Sequence, residues 1–251
     1  MSERPGEELP SMPFMQHLAE LRSALITVAV ILAAGTGAAW FVARPILSAL
    51  TRLLPPEASA NYFSPAESFM VLLKVSFITA LFVCVPLIFY RIWRFVAPGL
   101  YRHEKSKIVP LFLASALLFY LGTIFAYLEI VPMTLNYFGG LQAENVKMTI
   151  NISQLFTWVA KFCISFGIVF QLPLVILILS LLGLVSPVWL LRQWRHAIII
   201  VLVISAVMTP PDVVSQVAMA LPVIVLYFAS AIIALVVGRR RPRSVDSPEN
   251  L

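Results

Sequence analysis

The chain has 251 residues, of which 60% are hydrophobic and only 12% are charged, and its mean hydropathy is +0.92. A soluble domain is about half apolar and about a quarter charged, so this composition excludes a soluble globular protein and indicates an integral membrane protein. The formal net charge of +6 is explained by Lys and Arg residues in cytoplasmic loops, as is usual for membrane proteins. Nucleic-acid binding is not expected, because the sequence has no basic stripe interleaved with polar residues.

The apolar runs predict an all-α polytopic membrane protein with six transmembrane helices. A cytoplasmic N-terminal segment, residues 1–20, precedes a single membrane domain over residues 21–237, and a basic cytoplasmic tail covers residues 238–251. The fifth run is shorter than the about 20 residues that a straight span needs. The predicted spans are residues 21–42, 69–90, 108–128, 154–184, 196–209 and 213–237.

The connections follow from turn and cap residues. Ser11 and Pro13 are suited to open the first helix, as a cap residue and an early-turn proline. Arg44 and Pro45 are predicted to begin the first outer segment. A second outer loop is predicted from Glu129 to about residue 153.

The distribution of cations predicts the orientation. Of the 18 Lys and Arg residues, all but five fall on one side of the predicted membrane; the five are Arg44, Arg52, Lys74, Lys147 and Lys161. Cytoplasmic loops carry the excess of Lys and Arg, so both termini are predicted to be cytoplasmic. If the last two segments form a shallow re-entrant pair, the termini stay on the same side.

The loop between the second and third spans combines several cations with one carboxylate, Glu104, the only acid between Glu67 and Glu129. Glu20 is predicted on the same face of the membrane. A carboxylate accepts two parallel hydrogen bonds from a guanidinium, so two carboxylates could hold two adjacent arginines of a ligand. The alternative is a local ion pair at Glu104 and a solvated Glu20, since surface ion pairs are common and weak.

Three further positions carry polar groups in or beside apolar runs. Gln171 lies near the middle of the fourth span, and Pro173 cannot donate to the backbone carbonyl of Val169, four residues earlier. Gln171 is therefore either a structural hydrogen-bonding group or a contact for a partner helix. Asp212 is predicted to cap the last helix, and Glu67 to lie at an outer span end, where a carboxylate costs little.

Catalytic chemistry is not predicted. The sequence has no nucleophile elbow, no zinc-protease motif and no phosphate loop, and its cysteines, Cys84 and Cys163, lie in apolar runs without metal-ligand spacing. We therefore expect no enzyme, no cofactor and no metal. A small-solute secondary transporter is the alternative function, but it needs several polar groups at mid-depth, whereas only Gln171 stands out. A membrane-embedded enzyme is a further alternative, but the sequence shows no nucleophile paired with a base. A structural scaffold for other helices is the last.

Five motifs, in this order along nearly the whole chain, resemble the TatC family, the multi-spanning subunit of the twin-arginine protein translocase. They are HLAELR at 17–22, FSPAESF at 63–69, YRIWRFVAPGLYRHE at 90–104, FGIVFQLP at 166–173 and TPPDVVSQ at 209–216. The resemblance implies a receptor for twin-arginine signal peptides of folded precursor proteins in the bacterial cytoplasmic (inner) membrane. It also implies TatA-like and TatB-like single-span partners in a hetero-oligomer, and export driven by the proton gradient.

The resemblance also implies roles for individual residues. Signal-peptide binding falls on Glu20 and Glu104, and the motif places four more residues nearby, which are Arg22, Phe95, Pro98 and Leu100. Gln171 and Pro173 would face a membrane groove and contact a partner helix; relatives often carry an ionisable glutamate at the position of Gln171. Glu67 and Asp212 take structural roles on the periplasmic side, and short fifth and sixth segments are typical of the family.

Overall fold

A computed structural model of the chain describes residues 14–54, 58–96, 108–140, 149–181, 183–208 and 213–238. Almost all of these residues are helical. The elements are α1 (Phe14–Ala39), a 3-10 turn (Trp40–Val42), α2 (Ala43–Thr51), β1 (Ser59–Asn61), α3 (Pro65–Val96), α4 (Ile108–Phe125), a π turn (Ala126–Ile130), α5 (Val131–Gly140), β2 (Thr149–Asn151), α6 (Ile152–Val169), α7 (Leu172–Leu181), α8 (Pro187–Arg192), α9 (Trp194–Met208) and α10 (Val213–Gly238).

Five helical stretches in the described residues are apolar and long enough to cross a membrane. They are Leu18–Thr51, Pro65–Phe95, Pro110–Gly140, Ile152–Ser180 and Val213–Val236. Helix α9, Trp194–Met208, is apolar but shorter. The sixth span and the cytoplasmic position of both termini stay predictions.

The described residues form two compact units. The first unit contains α1, most of α2, α3 and the first half of α4. Within it α1 packs along α3, and a Cβ built on Gly35 would lie 3.2 Å from both Ala80 Cβ and Cys84 Sγ. The small residue at Gly35 therefore lets the two helices approach closely.

Aromatic side chains connect the helices of this first unit. The rings of Trp40 and Phe69 are 5.7 Å apart. At the other end of α3, the Trp93 indole donates to the Ser115 hydroxyl at 2.8 Å, which joins α3 to α4. A buried indole N–H usually finds such a partner, and this bond links the last turn of α3 to α4.

The second unit contains the rest of α4 and all elements from the π turn to α10, together with β1. Its core includes Phe162 and Phe166, which are 1% and 0% exposed. Two glycines permit close packing between α4 and α6: a Cβ on Gly122 would lie 2.5 Å from the Phe166 carbonyl oxygen, and one on Gly167 would lie 2.5 Å from the Phe119 ring.

The chain remains helical at two places where the sequence analysis expected loops. Arg44 and Pro45, the expected start of an outer segment, lie in α2, which continues directly from the 3-10 turn. Beyond Leu128 the helix continues through a π turn into α5 and reaches Gly140. Pro132 cannot bond to the carbonyl four residues before it, and a wider π turn directly ahead of a proline is one way to absorb that mismatch.

Two short strands pair in the second unit, in segments for which no strand was expected. β1 and β2 are parallel, with Ala60 opposite Ile150. Asn151 ends β2 and caps α6, because its side-chain oxygen accepts a hydrogen bond from the Gln154 backbone N–H at 2.9 Å. The strand pair therefore leads directly into the start of α6.

Candidate functional site

A small cavity in the first unit lies where the start of α1 meets the end of α3. Its volume is about 100 Å³, and we call it the rim cavity. It is lined by Glu20, Ser23, Ala24, Arg91, Arg94 and Phe95. The cavity thus gathers one carboxylate, two guanidinium groups and an aromatic ring.

Helical spacing brings these side chains together. Glu20 is three and four residues before the other α1 members of the cavity, and Arg91 has the same spacing to the other α3 members. Residues at i, i+3 and i+4 share one face of a helix, so each helix presents a single continuous strip to the cavity. Arg94 also lies in the last turn of α3, where a cation is favoured by the helix dipole.

The charged groups of the rim cavity remain accessible. Glu20 and Arg94 are exposed, whereas Arg91 and Phe95 are half-buried. The Glu20 carboxylate can therefore be reached from solvent. The cavity carries one negative and two positive charges, so its described part alone has an excess of positive charge.

The structure brings together part of the predicted signal-peptide set. Glu20 and Phe95 line the same cavity, while Arg22 is exposed and does not line it. The other three predicted members, Glu104, Pro98 and Leu100, lie outside the described residues. The pairing of Glu20 with Glu104 therefore stays a prediction.

Four lining residues of the rim cavity were not in the predicted set, namely Ser23, Ala24, Arg91 and Arg94. Helical spacing could have predicted most of them, because residues three and four positions after Glu20, or four before Phe95, lie on the same face of the helix. It identifies which residues share a helix face, but it does not identify the neighbouring helix that the face meets.

A second candidate position is the break between α6 and α7 in the second unit. The backbone N–H of Gln171 donates to the Ile168 carbonyl at 2.9 Å, a tight three-residue turn. Its side-chain Nε2 donates to the Gly167 carbonyl at 3.3 Å. Pro173 follows in the first turn of α7, and its missing N–H is consistent with a helix break directly before it. Gln171 therefore makes a hydrogen bond within its own helical segment at this break, and its contact with a partner helix stays a prediction.

Comparison with known proteins decides the family. The family model described as Sec-independent protein translocase protein (TatC) matches residues 16–222. The chain is 34% identical to the protein of that name from Aquifex aeolicus, over 92% of this chain and 98% of the relative, and 34% identical to the one from Koribacter versatilis, over 97% and 93%. The chain belongs to the TatC family of Sec-independent protein translocase proteins.

A solved structure agrees with this assignment. The crystal structure described as the twin-arginine translocase receptor TatC has a TM-score of 0.80 and 34% identity, and the match covers 89% of this chain and all of that one. The second, in the detergent DDM, has the same TM-score and identity over 87% of this chain. The predicted all-α polytopic membrane fold is thereby confirmed, as is the resemblance. As a TatC-family protein, the chain is a multi-pass component of a Tat translocase and not an enzyme.

The predicted periplasmic pair is only partly described. Glu67 lies in the first turn of α3, where its backbone N–H donates to the Ser64 carbonyl at 3.1 Å. A carboxylate is favoured at this end of a helix because the first N–H groups point toward it. Asp212 lies outside the described residues, so its predicted capping role has no structural description.

Proposed function

We propose that this TatC-family chain is the receptor subunit of a twin-arginine translocase in the bacterial cytoplasmic (inner) membrane. It binds twin-arginine signal peptides of folded proteins at its cytoplasmic face, with TatA-like and TatB-like single-span subunits in a hetero-oligomer, and export is driven by the proton gradient. The observation that supports this most directly is the rim cavity, in which an exposed Glu20 lies beside Phe95.

The charges of the rim cavity indicate that one carboxylate is not enough to bind a doubly cationic peptide. Glu20 contributes one negative charge against the two positive charges of Arg91 and Arg94. Two unit charges about 4 Å apart interact by about 1 kcal/mol in water and about 4 kcal/mol near a protein surface, so an excess positive charge repels a doubly cationic peptide appreciably. A second carboxylate is needed, and Glu104 is the only acid in the sequence between Glu67 and Glu129.

The chemistry of the ligand follows from the same groups. A guanidinium forms two parallel hydrogen bonds with a carboxylate, whereas an ammonium acts as a point charge, so an arginine pair binds better than a lysine pair. Phe95 offers an apolar face to the aliphatic part of an arginine side chain. Gln171 and Pro173, at the break between α6 and α7, are proposed to contact a partner helix, because an irregular backbone exposes polar groups that a partner can use.

Peptide binding by carboxylate variants tests the proposal. Purified wild-type protein, Glu20→Gln, Glu104→Gln and the double variant are titrated with a labelled twin-arginine peptide and with its Lys-Lys version. Each lost charge-assisted contact should weaken twin-arginine binding by about 1–3 kcal/mol, which is about 5- to 150-fold. Glu129→Gln is the matched control, because Glu129 is an exposed carboxylate on the π turn and not in the rim cavity.

Two outcomes would count against different parts of the proposal. Peptide affinity that is unchanged in the double variant would remove Glu20 and Glu104 from the binding site. The whole receptor assignment is tested in cells that lack their own TatC and contain matching partner subunits. Stable insertion of the wild-type chain there, without export of a folded reporter, would contradict it.

A further inference from the structure

The two arginines of the rim cavity, Arg91 and Arg94, do not contribute to the proposed binding of a cationic peptide, which they repel. Both side chains line the cavity itself, on the face of α3 that meets Glu20. The excess of cations in cytoplasmic loops explains why arginines lie at this end of α3, but not why two of them lie on this face. Their side chains are placed for an anion that enters the same cavity.

Arg91 and Arg94 can hold a single carboxylate between them. They are three residues apart in α3, so their Cβ atoms are about 5–6 Å apart on one face of the helix. A carboxylate has about four lone-pair sites on its two oxygens, so it can accept hydrogen bonds from both guanidinium groups at once. The Ser23 hydroxyl, which lines the cavity from α1, is a further possible donor.

The size of the rim cavity fits one small acidic group. A water molecule occupies about 30 Å³ in the liquid, so a cavity of about 100 Å³ has room for about three water-sized atoms. The carboxylate at the tip of an aspartate or glutamate, one carbon with two oxygens, is a group of this size. An arginine of the ligand does not need this space, because Glu20 is exposed and can be reached from solvent.

Glu20 favours an acid that is covalently linked to an arginine over a free anion. A free anion in the cavity lies beside the negative charge of Glu20 and is repelled by it. In a peptide, the arginine that binds Glu20 removes this repulsion, and the linked acid then meets Arg91 and Arg94 at a high effective concentration. An anionic lipid has no guanidinium to bring to Glu20, so it gains no such advantage.

The geometry of an extended peptide identifies the position of the acid. Residues two apart in an extended chain point to the same side and lie about 7 Å apart. The axes of two packed helices are about 8–10 Å apart, so side chains of this spacing can reach one group on α1 and another on α3. The residue directly after an arginine pair is two residues after the first arginine. It can therefore meet Arg91 and Arg94 while the first arginine binds Glu20.

We propose that Arg91 and Arg94 form a subsite for an acidic side chain directly after the arginine pair of the signal peptide, with its carboxylate bound by both guanidinium groups. This subsite rests on the proposed function, because the arginine pair has to be held at Glu20. The two arginines are then specificity-determining residues, which favour an acid at the adjacent peptide position and disfavour a cation there.

Peptide titration of the purified full chain in mixed micelles tests the subsite. Three labelled twin-arginine peptides are compared, which differ only in the residue after the pair: Asp, Gln or Lys. A partly exposed ion pair changes affinity by up to about fivefold, and a like-charge pair has a similar effect of opposite sign. We therefore expect the Asp peptide to bind about fivefold more tightly than the Gln peptide, and the Lys peptide about fivefold more weakly.

Removal of the two charges on α3 should abolish this preference. The double variant Arg91→Gln with Arg94→Gln should bind the three peptides with equal affinity. Each single variant should keep an about twofold preference for Asp over Gln, and the single variants replace the double variant if it does not fold. Arg192→Gln is the matched control, because Arg192 is an exposed arginine of α8 that does not line the cavity, and its removal should leave the preference unchanged.

Three results would overturn the subsite. The first is equal affinity of the wild-type chain for the Asp and Gln peptides, and the second is a preference for Asp that is undiminished in the arginine variants. The third is a preference that is seen only in Glu104→Gln, which would show that Glu104 of this chain occupies the two arginines.

Glu20→Gln separates the subsite from the proposed function. If this variant weakens the binding of all three peptides but the wild type shows no preference for Asp, the subsite is wrong and the proposed function stands. If it weakens none of them while the preference for Asp remains, the binding of the arginine pair at Glu20 is wrong, although Arg91 and Arg94 bind the acid.

Discussion

Gly122 gives the sharpest test of how the second unit is packed. In Gly122→Ala the new Cβ would lie 2.5 Å from the Phe166 carbonyl oxygen and 2.7 Å from the Phe170 ring, whereas ordinary contact begins at 3.4 Å. The shortfall to the carbonyl is 0.9 Å, the difference between those two distances. Because the contacted atom belongs to the backbone of α6, a side-chain rotation cannot relieve it, and α4 must move away from α6.

The size of the effect follows from two opposing terms. Overpacking a well-packed core typically costs about 1–3 kcal/mol. Replacing glycine by alanine inside a helix stabilises the folded state by about 0.5–1 kcal/mol. The mid-points of these two ranges differ by about 1 kcal/mol, so we expect Gly122→Ala to lower the free energy of unfolding by about 1 kcal/mol, measured by denaturation of the purified protein in mixed micelles.

Two other glycines serve as controls for this prediction. A Cβ on Gly37 meets nothing within 4 Å, so Gly37→Ala should be neutral or slightly stabilising. Gly167→Ala meets the Phe119 ring at 2.5 Å, a side chain that can yield in part, so its loss should fall between the other two. If Gly122→Ala were as stable as Gly37→Ala, the close approach of α4 and α6 described above would be wrong.

Two hydrogen bonds give further predictions for the free energy of unfolding. Trp93→Phe removes the hydrogen bond to Ser115 and should lower the free energy of unfolding by about 0.5–1.5 kcal/mol. A double-mutant cycle with Ser115→Ala should show that the two effects are coupled. If the two losses of stability simply added, the hydrogen bond would be contradicted. Asn151→Ala removes the cap of α6 and should cost about 1 kcal/mol, with faster hydrogen exchange at the Gln154 amide; unchanged exchange there would show that the cap does not hold this turn.

Composition and hydropathy were sufficient to predict the fold class. Long apolar runs in water-free surroundings must satisfy their backbone groups internally, and helices do so without any partner. The ends of helices near proline were harder to predict from the sequence. Pro45 and Pro132 were expected in outer loops, but each lies inside a longer helical stretch, just after a 3-10 or π turn that changes the backbone hydrogen-bond pattern ahead of the proline.

The parallel strand pair could not be predicted from local pattern. Each strand is three residues long, and β2 lies about ninety positions after β1 in the chain. Three residues do not establish an alternation of apolar and polar side chains, and the pairing partner of a short strand is set by the tertiary fold.

The rim cavity shows the same division between local and tertiary information. The sequence identified Glu20 and Phe95 through family motifs, and both line the cavity. Arg91 and Arg94 were counted only among the cations of the predicted cytoplasmic loop. Their position beside Glu20 depends on how α1 packs against α3, and periodicity within one helix carries no information about that contact.

Gln171 shows why a non-ionisable residue fits the break between α6 and α7. In a continuous α-helix the Gly167 carbonyl accepts from the backbone N–H four residues later, which is that of Gln171. Here that N–H donates to Ile168 at 2.9 Å, and the side-chain amide donates to Gly167 at 3.3 Å. An ionised carboxylate has no hydrogen to donate, so a glutamate at this position could form the same bond only when protonated. The amide makes it at every pH, and the break in this chain is therefore held together without a titrating group at position 171.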